Sequence, residues 1–284
     1  MWLLVFLVAA SLAAVNVFNL PSAAEKITPE ELVAKHLESI GTPQARQAVN
    51  TRIIAGTSFV IFRTTPTGQA SGRAVLASEG NKSLIGMSFQ SPVYPREEFG
   101  FNGTSFVAAY VTPGVRSSLG SFLVLHDLVF KQGLMGGTLS SSWPLLDLAS
   151  RAAKLEYVGT KKIEDETLHE LRYLPRGGSE LQISLFFDEA TFKHVRSEYR
   201  RVIEAQTGSR AYGNVQERES RYKMVEKFSS FNVENGLYLP HTYKIEFTAD
   251  AQSGTFQAEW TLKLSQFQFN QKIDANAFSI SGER

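Results

Sequence analysis

The chain has 284 residues, with 29 Lys+Arg against 28 Asp+Glu, five His, no Cys, 43% hydrophobic and 11% aromatic residues. Balanced charge leaves no net field for nucleic acid or an anionic membrane surface, and the lack of cysteine excludes disulfides, Fe–S clusters and Cys-based zinc sites. The apolar content is that of a globular chain, and the length suits one large all-β domain or two small ones.

Residues 1–24 carry no charged side chain, and 2–15 are dominated by Leu, Val, Ala and Phe. Ser22 and Ala24 suit the −3 and −1 pockets of a signal peptidase, so the segment reads as an export signal cleaved near Ala24, with Glu25 starting the mature chain. No Lys or Arg precedes the apolar run, which leaves a short N-terminal anchor as the competing reading. The run is interrupted before the roughly 20 residues that span a bilayer. The expected location is the periplasm, and residues 25–284 are expected to form one domain.

Thr28-Pro29-Glu30-Glu31 combines a capping box with Pro at the first helical position, predicting a helix to about Ile40 that stops at Gly41. Leu32, Val33, His36, Leu37 and Ile40 form its apolar stripe, His36 being read as an edge residue. Thr42-Pro43 starts a second short helix to about Asn50. Strand-forming runs follow at 53–63, 73–78, 83–90, 98–101 and 105–111, with turns at Thr65-Pro66-Thr67-Gly68, Glu79-Gly80-Asn81-Lys82, Ser91-Pro92 and Asn102-Gly103. Asn-Gly between Phe101 and Thr104 is the strongest hairpin signal.

Residues 117–150 break the pattern. Their leucines and phenylalanines are too dense for alternating strands, Gly133, Gly136 and Gly137 interrupt them, and Ser142 to Leu148 reads as a short amphipathic helix. The stretch is expected to form two or three short helices over one sheet face, either a mobile lid over an apolar cavity or a static core cover. Strands return at 155–163, 167–174, 181–187, 192–203, 221–231, 239–248 and 256–269. Phe256, Ala258, Trp260, Leu262 and Leu264 alternate with Gln257, Glu259, Thr261 and Lys263, which means one buried and one wet face. The fold class is mainly β, a curved antiparallel sheet forming an incomplete β-barrel around short helices.

Catalytic and metal motifs are missing. His36, His126, His169, His194 and His241 form no ligand pair, and there is no GxSxG or P-loop, so no cofactor and no metal is expected. Glu164-Asp165-Glu166 reads as a solvated turn. His126-Asp127 is the best catalytic fragment, although neighbours on a helix point apart. Arg196, Glu198 and Arg200 share one strand face, read as a charged outer surface, with Arg201 facing the other way.

The order of three features carries a resemblance: the helix Glu30-Glu31-Leu32-Val33-Ala34-Lys35-His36-Leu37 before Gly41 and a long strand; the strand and turn Leu185-Phe186-Phe187-Asp188-Glu189-Ala190-Thr191; and the ending Phe267-Gln268-Phe269-Asn270-Gln271-Lys272-Ile273-Asp274-Ala275-Asn276-Ala277-Phe278. With these the chain resembles the LolA/LolB-like outer-membrane lipoprotein-sorting proteins over most of residues 27–280. The resemblance implies an incomplete barrel holding acyl chains between sheet and helices. The expected partners are lipid or lipoprotein acyl chains and envelope membrane proteins, the expected state is a monomer, and no enzymatic activity is expected. The chain is longer than the compact carriers and no acyl-contact arginine can be matched to Arg52, so other lipids, polyisoprenoids or a structural role stay open.

A lipid carrier needs no polar motif, because an acyl chain of ~16 carbons yields on the order of 10 kcal/mol from burial alone, before ordering costs. Candidate cavity residues are Phe59, Ile61, Phe89, Phe106, Phe122, Leu125, Trp143, Leu146, Phe187, Phe247 and Trp260. The alternatives are a periplasmic scaffold or protein-binding module with a filled core, and a hydrolase built on His126-Asp127.

Overall fold

The computed structural model describes residues 27–64, 67–205, 219–252 and 254–281. The expected export segment and the first half of the 65–68 turn lie outside them. Helix α1 (Pro29–Ile40) begins at the expected capping box: the Thr28 side chain accepts from Glu31 N–H while the Glu31 carboxylate accepts from Thr28 N–H. Helix α2 (Pro43–Gln47) is shorter than expected. Then come β1 (Thr51–Phe62), β2 (Gly68–Glu79), β3 (Lys82–Phe89), β4 (Arg96–Phe101) and the short β5 (Phe106–Ala108). At the Asn-Gly site the chain does reverse, and the Asn102 side chain holds the loop by accepting from Thr104 and Ser105 N–H.

The 117–150 stretch forms α3 (Ser118–Leu125), α4 (Leu128–Lys131), 3-10 turns at Gly137–Leu139 and Pro144–Leu146, and α5 (Leu148–Arg151). The single helix expected over 142–148 is instead a 3-10 turn followed by α5, because the Asp147 side chain caps Ser150 N–H and restarts the chain there. Seven strands follow: β6 (Lys154–Ile163), β7 (Glu166–Leu174), β8 (Gln182–Asp188), β9 (His194–Ile203), β10 (Ser220–Glu234), β11 (Leu237–Ala251) and β12 (Gly254–Phe269).

All twelve strands belong to one antiparallel sheet in the order β5-β4-β3-β2-β1-β12-β11-β10-β9-β8-β7-β6. The two meanders join where β1 pairs β12, with Val60 opposite Trp260, and among the described residues β5 and β6 remain as unpaired edges bridged by the helical insert. The sheet curls strongly. The Phe99 ring of β4 lies 6.0 Å from Phe130, while Tyr173 Oη of β7 donates to Gln132 Oε1 at 2.8 Å. In a flat sheet β4 and β7 would stand nine strand steps apart, about 43 Å, yet they reach residues two apart in the insert. One corner is at Gly72: Ser58 Oγ of β1 reaches past β2 to Ser88 O of β3 at 3.1 Å, and a Cβ on Gly72 would fall 1.6 Å from that same carbonyl oxygen. The inner face of this incomplete barrel and the helices share one apolar core, running from Leu32 and Ile40 of α1 through Leu123 and Phe130 to Trp260 and Leu262.

Candidate functional site

The space between sheet and insert is occupied by the insert's own side chains. Leu119, Leu123, Val129, Phe130, Leu134, Leu139 and Trp143 are all at most 1% exposed. Where Met135 and Leu139 meet Leu76 and Ile85, about 10 Å³ is left.

Polar side chains rising from the sheet bind this insert at successive points. Glu226 of β10 is fully buried; its carboxylate accepts from Gly136 N–H at 2.7 Å, Tyr243 Oη at 2.6 Å and Tyr199 Oη at 2.7 Å. Burial pushes its pKa up to about 7 despite those three donors. Glu97 of β4, also pushed up to about 7 by burial, accepts from Ser117 Oγ at 2.7 Å and from Tyr94 Oη. Ser117 in turn caps Gly120 N–H, and Trp260 Nε1 donates to Tyr94 Oη at 2.9 Å, so one chain of bonds runs from β12 to the start of α3. Arg52 of β1, 2% exposed, donates to Thr138 O and, at 3.4 Å, to Ser140 O; burial lowers its pKa to about 10, which leaves it charged at neutral pH. Ser78 accepts from Ser141 N–H.

His36 is not an edge residue. It is wholly buried: its Nε2 accepts from Trp143 Nε1 at 3.0 Å, which makes Nδ1 the donor to Phe192 O at 3.0 Å, and burial lowers its pKa to about 4. The helix stripe places it correctly on the inner face. What the stripe cannot indicate is that Trp143 comes over it from the insert.

The open end of the barrel holds an apolar pocket of about 350 Å³ between α3 and the ends of β9 to β12. Phe122, Leu125, Tyr222, Phe247 and Phe256 supply its apolar wall. Phe122 lies 5.2 Å from Phe247 and 6.3 Å from Tyr222, and Phe247 lies 6.2 Å from Phe256. Phe62 continues this aromatic belt from Phe256 to Tyr94 and Trp260, and Tyr94 carries it to Phe89. Leu125 stands 79% exposed at the rim, near Ile203 at 44%. Arg116, Arg201, His126, Ser118 and Ser121 also line it.

The eleven candidate residues therefore separate. Phe122, Leu125 and Phe247 meet at the pocket, with Phe89 and Trp260 further along its belt. Trp143 and Phe187 pack around His36, and Leu146 is half-buried against the same core. The Phe106 ring packs tilted against Phe130, 4.6 Å between centroids. Phe59 and Ile61 lie on the opposite strand face from Val60, which packs in the core, so they belong to no inner cavity. Asp127 is engaged by Lys131 at 2.6 Å, and no hydrogen bond joins the His126 ring to Ser118 or Ser121 among the described residues.

On the outer face Glu198 gathers Arg196, Arg200 and Lys223, and Glu164 pairs with Lys227, as the shared strand parity implies. A broader groove of about 790 Å³ lies on that same side, outside Gly56 and Gly86, and is lined by Arg73, Arg96 and Glu98 among small residues.

No protein-family profile matches the sequence, and no curated protein is detectably similar to it in sequence. Among solved structures, a LolA superfamily protein from Nitrosomonas europaea matches 89% of this chain and 97% of its own, at 12% identity and a TM-score of 0.44. A DUF1329 family protein from Desulfovibrio piger matches 90% and 98%, at 9% identity and 0.45. The MucA/MucB complex of Pseudomonas aeruginosa supplies a chain matching 85% and 99%, at 10% identity and 0.21.

Proposed function

We propose that the protein is a non-enzymatic periplasmic carrier or binder of lipid or lipoprotein acyl chains, working as one unit over residues 25–284 after removal of the export segment and meeting envelope membrane proteins at transfer. The observation that carries this reading is the apolar pocket at the open end, about 350 Å³ in volume and continuous with an aromatic belt. That volume lies at the lower end of the ~300–1,000 Å³ usual for ligand pockets, so it holds the end of a chain, and deeper entry requires α3 to shift. Each methylene that enters contributes about 0.8 kcal/mol, which offsets the apolar packing that α3 gives up as it moves.

The test is extraction. Protein purified from its native host carries lipid detectable by mass spectrometry, and stripped protein binds a fluorescent fatty acid that Leu125→Glu, a change at an exposed rim position, displaces. Protein that is clean and also blind to the probe refutes the proposal. A second reading, a periplasmic scaffold with a filled core, is favoured by the close packing of Leu123, Phe130 and Trp143 beneath the sheet; it predicts that second outcome.

A further inference from the structure

Resting on the lipid-binding reading above, we infer that the pocket selects an anionic amphiphile, whose phosphate or carboxylate headgroup is held by Arg116 and Arg201 while its chain lies along Phe122 and Phe247. Among the described residues the charge of the lining is one-sided: two arginines and a histidine, with no Asp or Glu. Arg116 is preorganised. Its Nε donates to Ala108 O at 3.0 Å and its guanidinium sits 4.7 Å over the Tyr110 ring, while no carboxylate pairs with it among the described residues. The remaining N–H groups of that fork are the kind that binds a carboxylate or phosphate through two parallel bonds. Arg201 pairs at 3.0 Å with Glu180, which is 69% exposed. Because its carboxylate partner is held in water, this pair is worth little and exchanges for a headgroup at small cost. The field of Arg201 reaches into the pocket, where it adds to burial in lowering the pKa of His126 and is opposed by the smaller effect of Glu180. A neutral or cationic headgroup at this place would leave the Arg116 guanidinium without an anion beside an apolar wall.

The experiment compares a fluorescent C16 fatty acid with its methyl ester on the full chain at low salt. The acid is expected to bind about tenfold more tightly than the ester, and the double variant Arg116→Gln/Arg201→Gln is expected to bind both alike. Glu180→Gln, which frees Arg201, is expected to tighten the acid about twofold and leave the ester unchanged, a gain that misfolding cannot imitate. Millimolar inorganic phosphate displaces neither probe; displacement of the acid by phosphate alone would assign the arginines to a free anion and overturn the inference. Equal binding of acid and ester by the unaltered protein overturns it too, with the lipid-binding reading intact. Binding of neither probe sinks the reading itself.

Discussion

Glu226 gives a test of how the insert is held. Its carboxyl is isosteric with the amide of Gln, and a Gln side-chain oxygen can still accept from Gly136 N–H and Tyr243 Oη while Tyr199 rotates to accept from the amide. The difference between the two residues is therefore chiefly one of ionisation. In the folded chain burial raises the Glu226 pKa from 4.5 to about 7. Between those values the folded protein keeps a proton that the unfolded chain has released, so the stabilisation present below pH 4.5 is lost as pH rises through 7. Two and a half units at about 1.4 kcal/mol each give about 3 kcal/mol. Tyr199 and Tyr243 are raised well above 10 and do not titrate in this window. Glu226→Gln should accordingly be near neutral at pH 4.5 and gain about 3 kcal/mol on the parent by pH 8, read as a rising midpoint difference in urea melts at constant slope. In the parent alone the trend is masked, because Glu97 titrates in the same direction while His36, lowered to about 4, and His194, lowered well below its usual value, titrate in the opposite one. A Gln-minus-Glu difference that stays flat between pH 4.5 and 8 would mean that the carboxyl is solvated and that the insert is not packed over it.

Gly72→Ala should destabilise by more than about 3 kcal/mol in urea melts, since its Cβ would fall 1.6 Å from Ser88 O, whereas Gly68→Ala, with nothing within 4 Å, should leave the midpoint unchanged or slightly raised. Trp143→Phe removes the donor to the buried His36 and should cost about 1–3 kcal/mol, measured at pH 7 where His36 is neutral. Arg52→Met exchanges the desolvation of a guanidinium for the loss of its bonds to Thr138 O and Ser140 O, the latter of which keeps Trp143 N–H as a donor. Global stability should then move by less than about 1 kcal/mol, while amide exchange across 133–142 accelerates at least about tenfold.

The sequence carries the strand faces wherever one parity is apolar and the other polar. In β12, Ala258, Trp260, Leu262 and Leu264 are buried as the alternation requires. In β1 alternation does not suffice: Phe59, Val60, Ile61 and Phe62 are all apolar, so the run has no parity, and Phe59 and Ile61, expected on the inner face, lie on the other side. The buried ties show in the sequence as a conflict of pattern. Glu226 lies on the stripe Met224-Glu226-Phe228 and Glu97 on Glu97-Phe99-Phe101, a charge where the pattern calls for a hydrophobe. Strand parity puts Arg201 on the face opposite Arg196, and it lines the pocket. The tight fit of the insert cannot be read in this way, because it depends on which short segment meets which strand across the whole curl of the sheet.

The insert itself explains why those charges are there. Its segments of eight, four, three, three and four residues are too short to hold helical structure alone, and apolar contact by itself would allow them to slide over a sheet face lined with Leu, Ile and Phe. Directional bonds from Arg52, Ser78, Glu97 and Glu226 fix one docked position. They do so at a desolvation cost that makes the docked state less favourable than an all-apolar interface of the same area would be. Were the insert to lift, water could replace these same bonds, and breaking them would recover hydration for both partners. The remaining cost of lifting is exposed hydrocarbon, and that is the part an acyl chain entering beside Phe122 would cover.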